Sequence, residues 1–434
     1  MDRVYLISDT YMKILHILDC IKESSVFSTD HLFTSLKDPL YRNSVFLLLG
    51  RLLNVGVGFL FWLMAARLYP TEEVGVATAL ISSLGLIVFI SSLGFNFSLI
   101  RFINMNIKEN VLSTSIVITT IASAFMATIY LVIVNDVLHS ISLLQKSGYA
   151  FFFFITVVTN SMFFMSGEAF KALRDTKDFF MQNLVLSVRV PLLLPLVFLG
   201  NFGIFGAIGV TYIVSTIFSI YLLNRRTNIT AKIDKGYLKD SFTFSSGNYI
   251  SNLLYESPSL IMPTIILSLL GKEEAALYYI AFSISNLIWI APMSMSTSLF
   301  IEGSYGEGLK RNLIRSGGAV LILLIPSIII IYFFGNTILQ LFGKDYVESL
   351  SLLHVLALSS FFVALHNFFV PILNLQMKVK ELIKLNFIRF SLLIGLSYIL
   401  LTPYDILGFG YAWMITYVIL TVITLRISRK EGWI

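Results

Sequence analysis

Six ionisable side chains stand inside otherwise apolar stretches of this 434-residue chain: Arg51, Glu168, Arg189, Glu256, His366 and Arg389. A charge at the depth of a bilayer costs about 3 kcal/mol on insertion scales, so it needs a partner, a watery cavity or a function. Arginine suits phosphate, because its planar fork donates two parallel hydrogen bonds to neighbouring oxygens. A glutamate at that depth suits either a proton or sodium ion that drives transport, or an arginine left without another anion. The deep arginines Arg51, Arg189 and Arg389 outnumber the deep acid Glu256, so a cavity holding them would attract an anion.

Each residue also has a plainer reading. Arg51 lies within the first two turns of its apolar run, in Gly50-Arg-Leu-Leu-Asn-Val-Gly-Val-Gly58, and is either a cavity cation or an arginine snorkelling to the near interface. Arg189 and Arg389 are two to three turns deep, as phosphate ligands or as structural partners of a buried acid. Glu256, in Tyr255-Glu-Ser-Pro-Ser259, is a coupling site, a counter-ion or half of a structural pair. Pro258 and Pro263 predict that its helix is broken. Glu168 is near the end of its run, and His366 beside Asn367 reads more simply as a core pair than as a proton relay. Asn54 and Asn252 complete the candidate cavity lining.

The elements that must position these groups are membrane helices. Apolar residues make up 56% of the chain and charged ones 13%, against about 25% charged in an ordinary globular protein. They recur in runs of about 20 residues, the length a helix needs to cross about 30 Å of hydrocarbon. Twelve spans are expected, at 44–66, 75–100, 111–134, 149–167, 179–200, 204–223, 247–270, 275–300, 317–335, 348–373, 383–402 and 406–425. Tight turns are expected at 201–203 and around Pro403, Tyr404 and Asp405. The tails and the connections after even-numbered spans hold 24 of the 31 lysines and arginines, the opposite connections only Arg67, Lys146, Lys272 and Lys344. That asymmetry predicts both termini in the cytoplasm. Residues 1–42 are read as a cytoplasmic segment, with Tyr11 to Lys22 weakly amphipathic, and 427–434 as a cytoplasmic tail.

The two halves repeat. Arg67-Leu-Tyr-Pro-Thr-Glu-Glu-Val-Gly75 is followed 201 residues later by Ser268-Leu-Leu-Gly-Lys-Glu-Glu-Ala-Ala276. Ser98-Leu99 matches Ser298-Leu299, Phe205-Gly206 matches Phe409-Gly410, and Arg189 matches Arg389, all at offsets of 200 to 204. Six spans per repeat give two like-oriented bundles, 43–223 and 247–426, joined by a cytoplasmic linker, 224–246. The expected fold is therefore all-α, with two six-helix bundles around a central cavity that opens to either side in turn.

Gly56-Val-Gly-Phe-Leu-Phe-Trp-Leu-Met-Ala-Ala-Arg-Leu-Tyr-Pro-Thr-Glu-Glu-Val-Gly-Val-Ala-Thr-Ala79 resembles the opening of polysaccharide and O-antigen flippases of the multidrug/oligosaccharidyl-lipid/polysaccharide exporter superfamily. Ser92-Leu-Gly-Phe-Asn-Phe-Ser-Leu-Ile-Arg-Phe102 and Leu341-Phe-Gly-Lys-Asp-Tyr346 are similar to softer motifs of the family, and the resemblance spans 43 to about 425. It implies a flippase of the cell membrane that moves a polyprenyl- or dolichyl-(pyro)phosphate-linked oligosaccharide from the cytoplasmic to the outer leaflet by alternating access, for surface polysaccharide or lipopolysaccharide assembly. It implies phosphate binding by Arg51, Arg189 and Arg389.

The alternatives are a cation-coupled multidrug or metabolite antiporter of the same fold and a membrane glycan polymerase or ligase. Cavity sign argues against the first, and the short outer connection at 135–148 against the second. No phosphate-binding glycine loop of the Gly-x-x-x-x-Gly-Lys-Ser/Thr type occurs, so no nucleotide is expected. Protons or sodium ions are the candidate coupling partners. The net charge of +6 is explained by cytoplasmic loops facing anionic lipid, and no nucleic acid is implied. Cys20 is the single cysteine, so no disulfide, metal cluster or cofactor is expected.

Overall fold

Helix follows helix along the chain, as it must where lipid offers no partner to a free backbone amide. The computed structural model describes residues 39–104, 107–137, 144, 146–230, 232–304, 309–376 and 378–430. The expectations for 1–38, including the amphipathic stretch from Tyr11 to Lys22, and most of those for 135–148 and the C-terminal tail lie outside them.

Thirteen α-helices are described. They are α1 (Pro39–Leu68), α2 (Thr71–Ser91), α3 (Phe95–Phe102), α4 (Lys108–Val137), α5 (Ser147–Ala172), α6 (Thr176–Leu186), α7 (Arg189–Leu196), α8 (Asn201–Asn224), α9 (Lys235–Leu269), α10 (Lys272–Ser304), α11 (Leu309–Phe342), α12 (Leu350–Leu375) and α13 (Val379–Lys430). Every expected span falls on them: α2 with α3 forms the second, α6 with α7 the fifth, and α13 contains the last two, folded back at Asp405. Among the described residues, eight helical stretches are long and apolar enough to cross a membrane, one of them α13 with its two spans. This is a multi-pass membrane protein. α9, which carries Asn248, Asn252 and Glu256, falls outside that set because it is too polar.

Three expectations are corrected. The turn before the sixth span is centred on Gly200, and residues 201–203 already belong to α8. The seventh helix begins at Lys235, twelve residues before the expected edge, with the Asp234 carboxylate capping the amides of Gly236 and Tyr237. Half of the expected linker is therefore helical. Pro258 and Pro263 do not break α9. The Arg389 guanidinium donates to the carbonyl of Tyr255 in the turn ahead of Pro258, supplying a partner where a proline disturbs the ladder.

The repeat is visible in the backbone. Gly200 (φ 60°, ψ −139°) and Asp405 (φ 50°, ψ −145°) turn the chain into the last helix of each half. This region is nearly reserved for glycine, and a non-glycine there costs about 1–3 kcal/mol. Three residues on, Gly203 and Gly408 pack against the carbonyls of Leu196 and Leu400 so closely that a Cβ would collide. The structural offset here is 205, one residue more than the Phe-Gly match suggested.

Contacts identify two ends. At one, the Arg226 guanidinium lies 3.4 Å from Asp178 and 3.8 Å from Asp175, tying the lysine- and arginine-rich connections together. At the other, Arg67 donates from Nε and Nη2 to the carbonyls of Leu341 (2.6 Å) and Gln340 (2.7 Å). There the Thr71 hydroxyl also donates to Asp345 (3.1 Å). We call these the basic and the opposite end.

Candidate functional site

The fifth span breaks at Ser187 and Val188, and Arg189 starts the helix that follows. The break falls four and three residues before Pro191, which has no N–H to bond the Ser187 carbonyl one turn back, so the Val190 amide donates to that carbonyl instead, at 3.1 Å. Arg189 thus leaves the backbone at a helix start, aimed across α1. Its Nη2 donates to Asn54 Oδ1 at 3.4 Å, and the guanidinium lies 5.7 Å from the Phe61 ring centre. Asn54 in turn donates to Asn183 Oδ1 at 3.3 Å, and Asn183 donates to the Phe179 carbonyl at 2.7 Å. The Nε of Arg189 is buried with no hydrogen-bond partner among the described residues. Among those residues no acid lies within salt-bridge distance of it. Arg189 is half-buried and Asn54 exposed, so the group is reachable.

Arg389 occupies the equivalent place in the second half with a different outcome. Asn54 corresponds to Tyr255 at the 201 offset, and Tyr212 corresponds to Tyr417 at the 205 offset. Arg389 donates from Nε to the Tyr417 hydroxyl (2.9 Å) and from Nη1 to the Tyr255 carbonyl. Its guanidinium sits 4.3 Å from the Tyr255 ring centre and 5.5 Å from those of Trp413 and Tyr417. Arg389 is 2% exposed. Expected among the cavity cations, it is sealed inside the second half, because Tyr255 and Trp413 stand where the first half has Asn54 and Ile208.

Glu256 follows Tyr255 on α9 and is exposed in the middle of the helix, within electrostatic reach of Arg389. Asn252, one turn earlier, is half-buried and donates to the Asn248 carbonyl at 2.9 Å. His366 is 1% exposed, packs edge-on against Tyr417 at 5.8 Å, and has no hydrogen-bond partner among the described residues. It is a buried member of the Arg389 cluster. Glu168 pairs with Lys171 at 2.6 Å, one turn along its own helix. Arg51 is placed by its backbone alone, three residues before Asn54 on α1. The structure therefore brings together Arg189 and Asn54, and separately Glu256, Arg389 and His366, and leaves Glu168 apart. Asn183 was missed by the sequence reading. Its signal was its position six residues before Arg189 in the same span.

The halves meet along α2 and α9, where Ser83 and Thr264 share a hydrogen bond of 3.0 Å and the Tyr249 hydroxyl donates to the Ile90 carbonyl at 2.7 Å. At the opposite end Trp62 of α1 packs against Tyr279 of α10 at 4.6 Å and Phe59 against Phe342 at 5.4 Å. Closest of all are the two repeat motifs. A Cβ on Gly75 would overlap the carbonyl of Lys272 and crowd the amide of Ala276. Gly75→Leu is expected to force these ends apart at a cost of about 1–3 kcal/mol, shifting a two-state balance roughly five- to a hundredfold. The check is a Tyr279→Cys, Cys20→Ser protein treated with an impermeant maleimide from the side of the opposite end. Labelling should appear with Gly75→Leu and be absent with Gly75.

A family model described as polysaccharide biosynthesis protein matches residues 40–300, and the MatE model matches 249–399. No curated protein matches the chain in sequence. Among solved structures, the lipid II flippase MurJ in an inward closed conformation is similar, with 15% identity, a TM-score of 0.70, and 89% of this chain and 87% of that one covered. An inward-facing multidrug resistance MATE family transporter of the MOP superfamily gives 15% identity, a TM-score of 0.69, and coverage of 87% and 94%. An outward-facing one gives 15%, 0.61, 91% and 96%. The fold is that of MATE and MurJ transporters. With more than half of its length matched, the chain belongs to the polysaccharide biosynthesis protein family.

Proposed function

We propose that this protein is a flippase for an isoprenoid-(pyro)phosphate-linked oligosaccharide and that Arg189 holds the phosphate. The observation carrying this reading is the half-buried guanidinium of Arg189, with an unpartnered Nε and no acid in reach among the described residues. A cation so placed is unfavourable unless an anion arrives. A lipid-linked phosphate meets the need: its tail stays in the bilayer while its head crosses. Asn54 and Asn183 orient the fork, and Arg51, three residues before Asn54 in the sequence of α1, is the second cation assigned to the phosphate. Membership in a polysaccharide biosynthesis family and the fold shared with a lipid II flippase support a glycan cargo.

The packing supports alternating access. α1 meets the second half near its end, through Phe59, Trp62 and Arg67, while Leu52 and Val55 nearer its start are exposed. This supports a form closed at the opposite end and open at the basic, cytoplasmic end. The higher TM-score to the inward-facing than to the outward-facing MATE transporter agrees. Translocation then requires release of the Arg67 and Thr71 bonds. The test is reconstitution into vesicles and measurement of the transfer of a fluorescent pyrophosphate-linked sugar between leaflets. Absence of transfer above protein-free vesicles contradicts the reading.

A second reading, a cation-coupled antiporter, is favoured by one observation: Glu256 is exposed at mid-helix, where a carboxylate facing lipid would be costly. In the flippase reading the same carboxylate binds the coupling proton or sodium ion, or competes with substrate phosphate for a cavity arginine. Glu256→Gln is expected to abolish the dependence of transport on an imposed proton or sodium gradient and to lower gradient-driven rates about tenfold or more, with phosphate-lipid binding retained. Uptake rates with and without each gradient check this. Gradient-coupled efflux of a fluorescent organic cation, without lipid transfer, would favour the antiporter.

A further inference from the structure

Gly50, Gly56 and Gly58 interrupt α1 on either side of Asn54. Glycine is a poor helix former, because it has the most backbone freedom to lose. Inside a membrane helix it is ordinarily matched by something that comes close. Two of the three have such a neighbour. A Cβ on Gly50 would stand 3.0 Å from the Phe179 ring of α6, and one on Gly58 would stand 3.8 Å from Nη2 of Arg189. A Cβ on Gly56 would meet nothing within 4 Å among the described residues.

Gly50, Asn54 and Gly58 are spaced by four residues and share one face of α1. They meet, in the same order, Phe179, Asn183 and Arg189 of α6 and α7. At the first pair a ring lies against bare backbone, which lets the two helices approach. One turn on, Asn183 reaches Asn54. At the third, the guanidinium lies over Gly58, with Nη2 donating to Asn54 at 3.4 Å and the Phe61 ring centre 5.7 Å away. The second half is built differently. Ser259 stands where Gly58 does at the 201 offset, and Arg389 turns to the Tyr417 hydroxyl and the Tyr255 carbonyl.

We infer that Gly58 is a positioning residue for the phosphate site. The space left by its missing side chain seats the Arg189 guanidinium, and so sets the depth and angle at which the phosphate is held. The inference rests on the reading of Arg189 as the phosphate ligand, and it gives Gly58 no contact with the substrate. An arginine on its flexible stem grips two phosphate oxygens well only if its plane is fixed beforehand. A binding constellation has to be held to within about 0.5 Å. A leucine at position 58 claims volume in which Nη2 lies, so the fork is pushed off Asn54. An alanine does not, since 3.8 Å is an ordinary van der Waals separation.

The test measures the affinity of the purified full-length protein for a polyprenyl pyrophosphate and for the corresponding polyprenol. Gly58→Leu should cut the margin between them about tenfold or more and leave polyprenol binding unchanged. Gly58→Ala should stay within about twofold of the parent. Gly56→Leu adds the same bulk two residues away, where nothing is displaced, and should match the parent. A double-mutant cycle separates positioning from a general effect on α1: in an Arg189→Ala background, Gly58→Leu should have no further effect. An undiminished margin in Gly58→Leu, with the margin lost in Arg189→Ala, overturns the role of Gly58 alone. A margin kept in Arg189→Ala overturns the phosphate reading and this inference with it. Equal losses for the two lipids in Gly58→Leu, or a loss that persists without Arg189, make Gly58 merely structural and overturn the inference. If Gly58→Leu does not fold, Gly58→Val decides by the same comparison.

Discussion

Arg189→Ala is expected to abolish lipid-linked sugar transfer while leaving the protein folded and at least as stable as the parent. The variant removes a charge that has no acid partner among the described residues, and the bonds lost are one of 3.4 Å to Asn54 and a ring contact with Phe61. Deleting an uncompensated buried charge is neutral or stabilising. Binding has the opposite sensitivity. A charged hydrogen-bond pair to phosphate contributes about 3 kcal/mol, so affinity for the phosphorylated lipid should fall about a hundredfold. Arg189→Lys should be intermediate, keeping the charge and losing the fork. Asn54→Ala should act in the same direction more weakly, because Asn54 orients the guanidinium and carries no charge. Vesicle transfer rates, with unfolding midpoints measured alongside, check all three. A drop in midpoint that parallels the drop in transfer would mean that Arg189 is structural.

Arg389→Met is expected to do the reverse. Arg389 is enclosed by Tyr255, Trp413 and Tyr417, and its loss leaves the Tyr255 carbonyl and the Tyr417 hydroxyl without the donor each accepts from. The disturbed carbonyl lies in the turn before Pro258, where the helix has least to spare. A destabilisation of about 3 kcal/mol is expected from two interhelical hydrogen bonds and the cation–ring contacts. Transfer per folded molecule should fall less than stability does, and Arg389→Lys should recover part of the midpoint. Measured unfolding midpoints with activity normalised to folded protein separate the cases. A fully stable Arg389→Met protein with no transfer would return Arg389 to the cavity.

The contrast between these arginines shows where sequence reasoning stops. Their 200-residue spacing and similar depth were legible, because the two halves of the sequence repeat the same landmarks. The spans were legible because lipid demands uninterrupted apolar helices. Which arginine meets open space was not. That depends on whether the neighbouring helices bring Asn54 and Ile208 or Tyr255 and Trp413 against it, a matter of volume across three helices. The continuity of α9 through Pro258 and Pro263 was hidden for a related reason: a side chain 134 residues away supplies the polar contact. Gly75 and Ala276 were seen as a repeat, but the fact that the two copies touch each other belongs to the arrangement of the halves.

The most direct measurement is the affinity of the purified protein for two ligands that differ only in the head: a polyprenyl pyrophosphate and the corresponding polyprenol. Arg189 as the phosphate ligand predicts that the pyrophosphate binds on the order of a hundredfold tighter, and that this margin collapses in Arg189→Ala. Equal binding of the two lipids by the parent protein, or an undiminished margin in the variant, would contradict it.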